Sequence, residues 1–94
     1  IELWDCGKVI RADGGCLGGS ALSMDRAVAG FMALSGAGLA DALRAASENP
    51  ARLLGGRSLC RAVAPGQPAN LFSFHQEAGS ITVKATFIAG TQTY

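Results

Sequence analysis

The segment from Asn70 to the C-terminus constrains the fold most. Asn70-Leu71-Phe72-Ser73-Phe74-His75 reads as one strand. Glu77-Ala78-Gly79-Ser80 is a connection, and Ile81-Thr82-Val83-Lys84-Ala85-Thr86-Phe87-Ile88 alternates and is rich in β-branched residues, so it forms a second strand. Gly90 then turns the chain towards Tyr94. A two-stranded hairpin is barely stable alone in water. These strands must therefore join a sheet or lie against another layer, and what precedes them decides which.

What precedes them is helical. Ser23 suits an N-cap, and Asp25 lies in a first turn where the helix dipole favours negative charge. Met24, Ala27, Val28, Phe31, Met32 and Leu34 follow at helical spacing. Gly36 and Gly38 end this helix by a left-handed cap or a turn. A second helix runs over residues 39–48 and ends at Asn49-Pro50, because a residue before proline avoids helical geometry. Pro50 opens a short helix through Leu54, closed by Gly55-Gly56. Ala64-Pro65-Gly66-Gln67-Pro68 is a turn. At the N-terminus, Ile1 and Leu3 are separated from Val9 and Ile10 by a hairpin turn at Asp5-Cys6-Gly7-Lys8. A second turn follows at Asp13-Gly14-Gly15, and Leu17-Gly18-Gly19-Ser20 reads as a flexible glycine loop leading into the first helix. The order is short strands, helices, then two strands, which makes an α+β chain with no internal repeat.

Composition narrows the function. Ninety-four residues suffice for one small domain. Hydrophobic residues make up 49% and charged ones 16%, against a usual charged share of about 25%. Such a surface is suited to facing more protein. The net charge of +1 carries no basic stripe for nucleic acid, and no apolar run is long enough to span a membrane. The opening Ile-Glu-Leu-Trp-Asp has no basic region of a signal peptide and no initiator Met, which suggests an upstream segment. Cys6, Cys16 and Cys60 are too few and too spread for a disulfide framework, and are expected as reduced, part-buried thiols of a cytoplasmic protein.

The search for catalytic groups returns no set. A metal hydrolase needs clustered His and carboxylate ligands, and His75 is the sole histidine. It is expected as a surface or strand-end residue. Asp25 and Asp41 are explained as helix-start residues, and the other acids are dispersed. No nucleophile elbow, Walker loop or dinucleotide fingerprint is present. The residues thus supply neither catalytic nor metal-binding candidates. One local feature stands out: Leu17-Gly18-Gly19-Ser20, just ahead of a helix start, can expose backbone N–H groups to an anion or polar substrate group, or can simply be a tight connection.

Read together, the segments resemble a known family. Leu17-Gly18-Gly19-Ser20-Ala21-Leu22-Ser23-Met24 resembles the "LSGS-A-L-x-M" stretch of N-acetylglucosamine-6-phosphate deacetylases. Asn49-Pro50-Ala51-Arg52-Leu53-Leu54-Gly55 resembles the "NPAR-x-x-G" signature of amidohydrolases. Ala64-Pro65-Gly66-Gln67-Pro68-Ala69-Asn70-Leu71 resembles their "x-x-G-x-x-A-D-L" stretch at the start of the small β-domain, with Asn70 in place of the usual Asp. Residues 84–90 resemble the closing strand and its turn.

The resemblance implies the C-terminal part of a deacetylase. Residues 1–63 would be the last βα element of a (β/α)₈ metal-dependent barrel with its glycine loop and helices, and residues 64–94 strands of a small β-sandwich domain built from both chain ends. Such enzymes remove acetate from N-acetylglucosamine 6-phosphate with zinc or a similar divalent metal, in amino-sugar metabolism. Their metal ligands and catalytic aspartate would lie ahead of Ile1, so no metal is expected on this chain and the isolated chain is expected to be inactive. The triplet Leu17, Gly18 and Gly19 corresponds to the one whose backbone borders the sugar; Gly18 stands where the family has Ser and lacks its hydroxyl. The implied partners are the remainder of the barrel, an amino-sugar phosphate, and a second copy through exposed apolar faces. The alternatives are a non-catalytic α+β packing or interaction domain, and a small unrelated α+β binding protein.

Overall fold

The computed structural model describes residues 1–55 and 63–94. Two three-stranded antiparallel sheets flank a helical segment. The first sheet is a ribbon of β1 (Glu2–Leu3), β2 (Val9–Ile10) and β3 (Leu17–Gly19), in that order. Helix α1 covers Met24–Ser35, α2 Leu39–Leu43 and α3 Asn49–Leu54. The second sheet is β4 (Leu71–Glu77), β5 (Ser80–Ile88) and β6 (Thr91–Gln92). An α+β chain is thus what the sequence forms.

The terminal hairpin finds its second layer in the helices. Ile81 of β5 packs with Val28 and Ala29 of α1 and Ala42 of α2, and Met32, Leu39, Leu43, Ala46 and Phe74 close around this cluster. Strand alternation sends Ile81 and Val83 inward. Lys84 is then an extra residue between the pairs Phe74–Val83 and Ser73–Ala85. That bulge resets the alternation, so Thr86 reaches the same helix-facing groove as Ile81 and Val83. The two-residue link Ala78-Gly79 closes the hairpin with Gly79 at φ 80°.

Helix α1 ends as its sequence requires: Gly36 adopts φ 72° and its N–H donates to the Met32 carbonyl at 3.0 Å. Ser23 takes the extended N-cap conformation, yet its side chain makes no capping bond to the helix backbone. The Ser23 side chain and the Arg26 backbone N–H, the latter at 2.8 Å, instead hold the Asp25 carboxyl below its ordinary pKa of 3.8. Gly38 begins α2 in extended conformation rather than ending α1.

The predicted break at Asn49-Pro50 does not occur. Asn49 is helical (φ −65°, ψ −47°), and α2 runs through a π-turn at Arg44–Glu48 into α3. Proline lacks the N–H of an α-helical bond and clashes with the carbonyl four residues back. A π-turn widens the spiral at that place and is a known way to absorb such a defect. An exposed ladder follows it on the outside: Asp41–Arg44 at 2.9 Å, Arg44–Glu48 at 3.5 Å and Arg52–Glu48 at 2.6 Å.

The strand β6, unforeseen from the sequence, forms because the chain reverses at Ala89-Gly90. Ala89 sits at φ 50°. Its N–H donates to Asn70 Oδ1 at 2.8 Å, and the Gly90 N–H to the Ala69 carbonyl at 3.1 Å. The Asn70 side chain therefore acts as a clamp on the turn. The cysteine expectation needs correcting: Cys6 and Cys16 are exposed, because both lie in the turns of the ribbon, while Cys60 falls outside the described residues.

Two outcomes follow for stability. Asn70→Ala, which leaves the Ala89 N–H without its partner, should cost about 1 kcal/mol in chemical denaturation, whereas Asn70→Asp, which keeps an acceptor, should cost less than about half of that near neutral pH. Because the Asp25 pKa is depressed on folding, its contribution is present above the ordinary carboxylate range and is lost as pH falls through the lowered value. Helicity followed by circular dichroism from pH 6 to pH 2 should fall less steeply in Asp25→Asn than in the native chain.

Candidate functional site

The glycine segment is a strand rather than a free loop. Leu17 pairs with Ile10 and Gly19 with Val9, and the register shifts between Val9 and Ile10. Gly18 lies opposite that shift, tight against β2. A Cβ at position 18 would stand 2.9 Å from Ile1 Cγ2, 3.1 Å from the Arg11 N and 3.2 Å from the Ile10 carbonyl carbon. A side chain could enter only if the backbone of β2 gave way by some tenths of an ångström. Glycine at position 18 is thus a packing requirement of this ribbon. Gly19 has φ 156°, which also favours glycine.

Leu17, Gly18 and Gly19 are brought together as one short edge strand, and one side of it faces β2 while the other is unpaired among the described residues. Ser20 to Leu22 then form a link whose Leu22 N–H donates to Ser20 Oγ at 3.1 Å. Beside the strand lies an open concavity of about 430 Å³ lined by Lys8, Leu17, Gly19, Ser20, Leu22 and Arg26 among others. Two cations border it and no carboxylate does. Neither Lys8 nor Arg26 forms an ion pair among the described residues, whereas Arg11 is held by Asp13 at 2.7 Å. Lys8 and Arg26 were not singled out in the sequence, because they lie eighteen positions apart and belong to different elements; the ribbon's first turn and the first turn of α1 bring them to one basin.

Among the described residues no acid–base or ligand set assembles. His75 is exposed in β4, 3.2 Å from Glu77 Oε1. Among the described residues no three His, Cys, Asp or Glu side chains form a metal-ligating group. No helix among them is long and apolar enough to cross a membrane.

The chain is 40% identical over 65 residues, 69% of its length, to the N-acetylgalactosamine-6-phosphate deacetylase of Escherichia coli O157:H7. It shows the same 40% identity over 65 residues to an Escherichia coli K12 protein whose name assigns that activity provisionally. The matching stretch covers 17% of the first relative and 39% of the second. The chain is therefore similar to part of proteins named as amino-sugar-phosphate deacetylases. Their names give the galactosamine sugar, where the motifs resembled the glucosamine branch. No family model matches, and no solved structure matches.

Gly18→Ser should overpack the ribbon at a cost of about 1–3 kcal/mol. Amide hydrogen exchange at Val9, Ile10 and Gly19 should accelerate, while exchange in α1 and β5 stays as in the native chain.

Proposed function

We propose that this chain is the C-terminal part of a deacetylase acting on N-acetylhexosamine 6-phosphates, and that Leu17, Gly18 and Gly19 form the wall along which the sugar lies. The observation that carries the reading is the similarity to two named amino-sugar-phosphate deacetylases, across a chain whose glycine motif folds into an exposed edge strand. The substrate is N-acetylglucosamine 6-phosphate on the motif resemblance, and its galactosamine epimer is favoured by the relatives' names. An edge strand suits this role: its outward N–H and C=O groups can bond a ligand's hydroxyls or amide without any side chain. Lys8 and Arg26, bordering the adjoining basin without a carboxylate, suit the phosphate.

The reaction needs groups that the described residues do not assemble. The divalent metal implied by the family resemblance would polarise the acetyl carbonyl and supply an activated water, and the described residues offer no ligand set for it. In this reading the ligands and the catalytic carboxylate come from the preceding barrel. The exposed Phe31, Leu34, Leu53 and Leu54 on the helices are apolar surface that such a barrel would cover. What this segment contributes is binding and orientation, and the reaction would run in a cytoplasmic enzyme of amino-sugar metabolism.

The test is a chimera in which this chain replaces the matching stretch of the O157:H7 relative. Acetate release from N-acetylgalactosamine 6-phosphate and from its gluco epimer is measured with zinc added. We expect turnover of at least one, and none by the 94-residue chain alone. Replacing Lys8 and Arg26 together by Gln should raise KM roughly tenfold or more, as expected for losing a charge-assisted contact, with a smaller change in kcat. A folded chimera without turnover would overturn the reading.

A further inference from the structure

The apolar line of α2 does not run straight on into α3. Leu39, Ala42, Leu43 and Ala46 belong to the cluster around Ile81. In an uninterrupted α-helix the side chains four and seven positions after Ala46, those of Pro50 and Leu53, would follow on the same side. Both are exposed, Leu53 at 88%. The next half-buried apolar residue after Ala46 is Ala51, five positions on. A spacing of five is what one extra residue in the spiral gives. The π-turn at Arg44–Glu48 supplies that residue, with the Asn49 N–H donating to the Arg44 carbonyl five positions back. One residue corresponds to about 100° of helix rotation. The turn therefore swings Leu53 and Leu54 outward and brings Ala51 in.

Two local features hold the wider register. Pro50 has no N–H to donate, and in an α-helix its ring would meet the Ala46 carbonyl. The Leu43 carbonyl, the acceptor of the Ser47 N–H in an α-helix, receives the Ser47 hydroxyl at 2.7 Å. Both features lie within residues 43–50, so they act through the helix's own backbone. Burial of leucine pulls the other way. Ala46 and Ser47 border an apolar groove of about 290 Å³ beside Phe72, Val83 and Thr86. The α-helical register turns Leu53 to the side of the helix that faces the sheet.

We propose that this helix has two registers and that Pro50, with Ser47, locks it in the wider one. In the locked register Leu53 and Leu54 point outward and the small Ala51 takes the inner side. With the lock removed, the π-turn closes to an α-helix, Leu53 turns towards the sheet and Ala51 turns out. The device is a rotation about the helix axis of everything that follows Glu48. It concerns the helix itself and stands apart from the deacetylase reading.

The experiment is NMR on the chain with methyl-labelled leucine and alanine. A soluble gadolinium chelate reports the exposure of each methyl group, and circular dichroism confirms folding. In the native chain the Leu53 and Leu54 methyls should relax fast and the Ala51 methyl slowly. Pro50→Ala, which restores the missing N–H, should reverse the order: Leu53 relaxes several-fold more slowly and Ala51 faster. Pro50→Leu restores the same N–H and adds an apolar side chain on the inner side of the α-helical register; it should act alike and guards against a failure of the first variant to fold. A second readout is the urea midpoint. Leu53→Ala should leave it unchanged in the native chain and lower it in the Pro50→Ala background. A native chain whose Leu53 methyls are more protected than that of Ala51 would overturn the proposal. So would an unchanged order in the folded proline variants, or an equal effect of Leu53→Ala in both backgrounds.

Discussion

The contact of α1 with β5 is the one on which the rest of the fold depends. Ile81 meets Val28 and Ala29, and Ala42 completes the cluster. Small residues at positions 29 and 42 let the helices come close to the strand, so a modest number of side chains can exclude water. Among the described residues five are buried, and four of them are in this cluster. The hairpin of β4 and β5 would be marginal without it, and α2 owes its orientation to Ala42. Everything else hangs on this seam: the clamp at Asn70, the ladder outside the π-turn, and the open groove beside Phe72.

Much of this was legible in the sequence because it depends on local periodicity. The spacing from Met24 to Leu34 fixes α1, Gly36 supplies the left-handed end, and the alternation from Ile81 gives β5. What was not legible depends on contacts distant in sequence. Pro50 was read as a break because the rule for the residue before proline is local, while a π-turn earlier in the helix absorbs the conflict. The segment Leu17–Gly19 was read as a loop because glycine disfavours strands; Val9 and Ile10 hold it in one, and the tight approach at Gly18 is the reason glycine stands there. The strand β6 needed a positive φ at Ala89, which no alanine announces.

The candidate site shows the same division. Leu17, Gly18 and Gly19 are contiguous, so a motif can point to them. Lys8 and Arg26 border one basin only through the placing of the ribbon turn and the start of α1, and no spacing rule links them. That this chain offers few ligands to a hydrolytic metal is an expectation from composition, since it holds one histidine.

The ribbon of β1 to β3 makes no extensive contact with the helix–sheet unit, and Ile10, its single buried residue, is not part of the main cluster. The radius of gyration of 15.9 Å, against about 12 Å for a compact chain of this length, has this arm as one cause. Two parts that share so little apolar surface do not melt as one. The ribbon opens at a free energy set by its own few bonds, and the helix–sheet unit at another. A single midpoint temperature then need not describe both parts; Leu17, Gly18 and Gly19 belong to the ribbon, the part with the fewer buried residues.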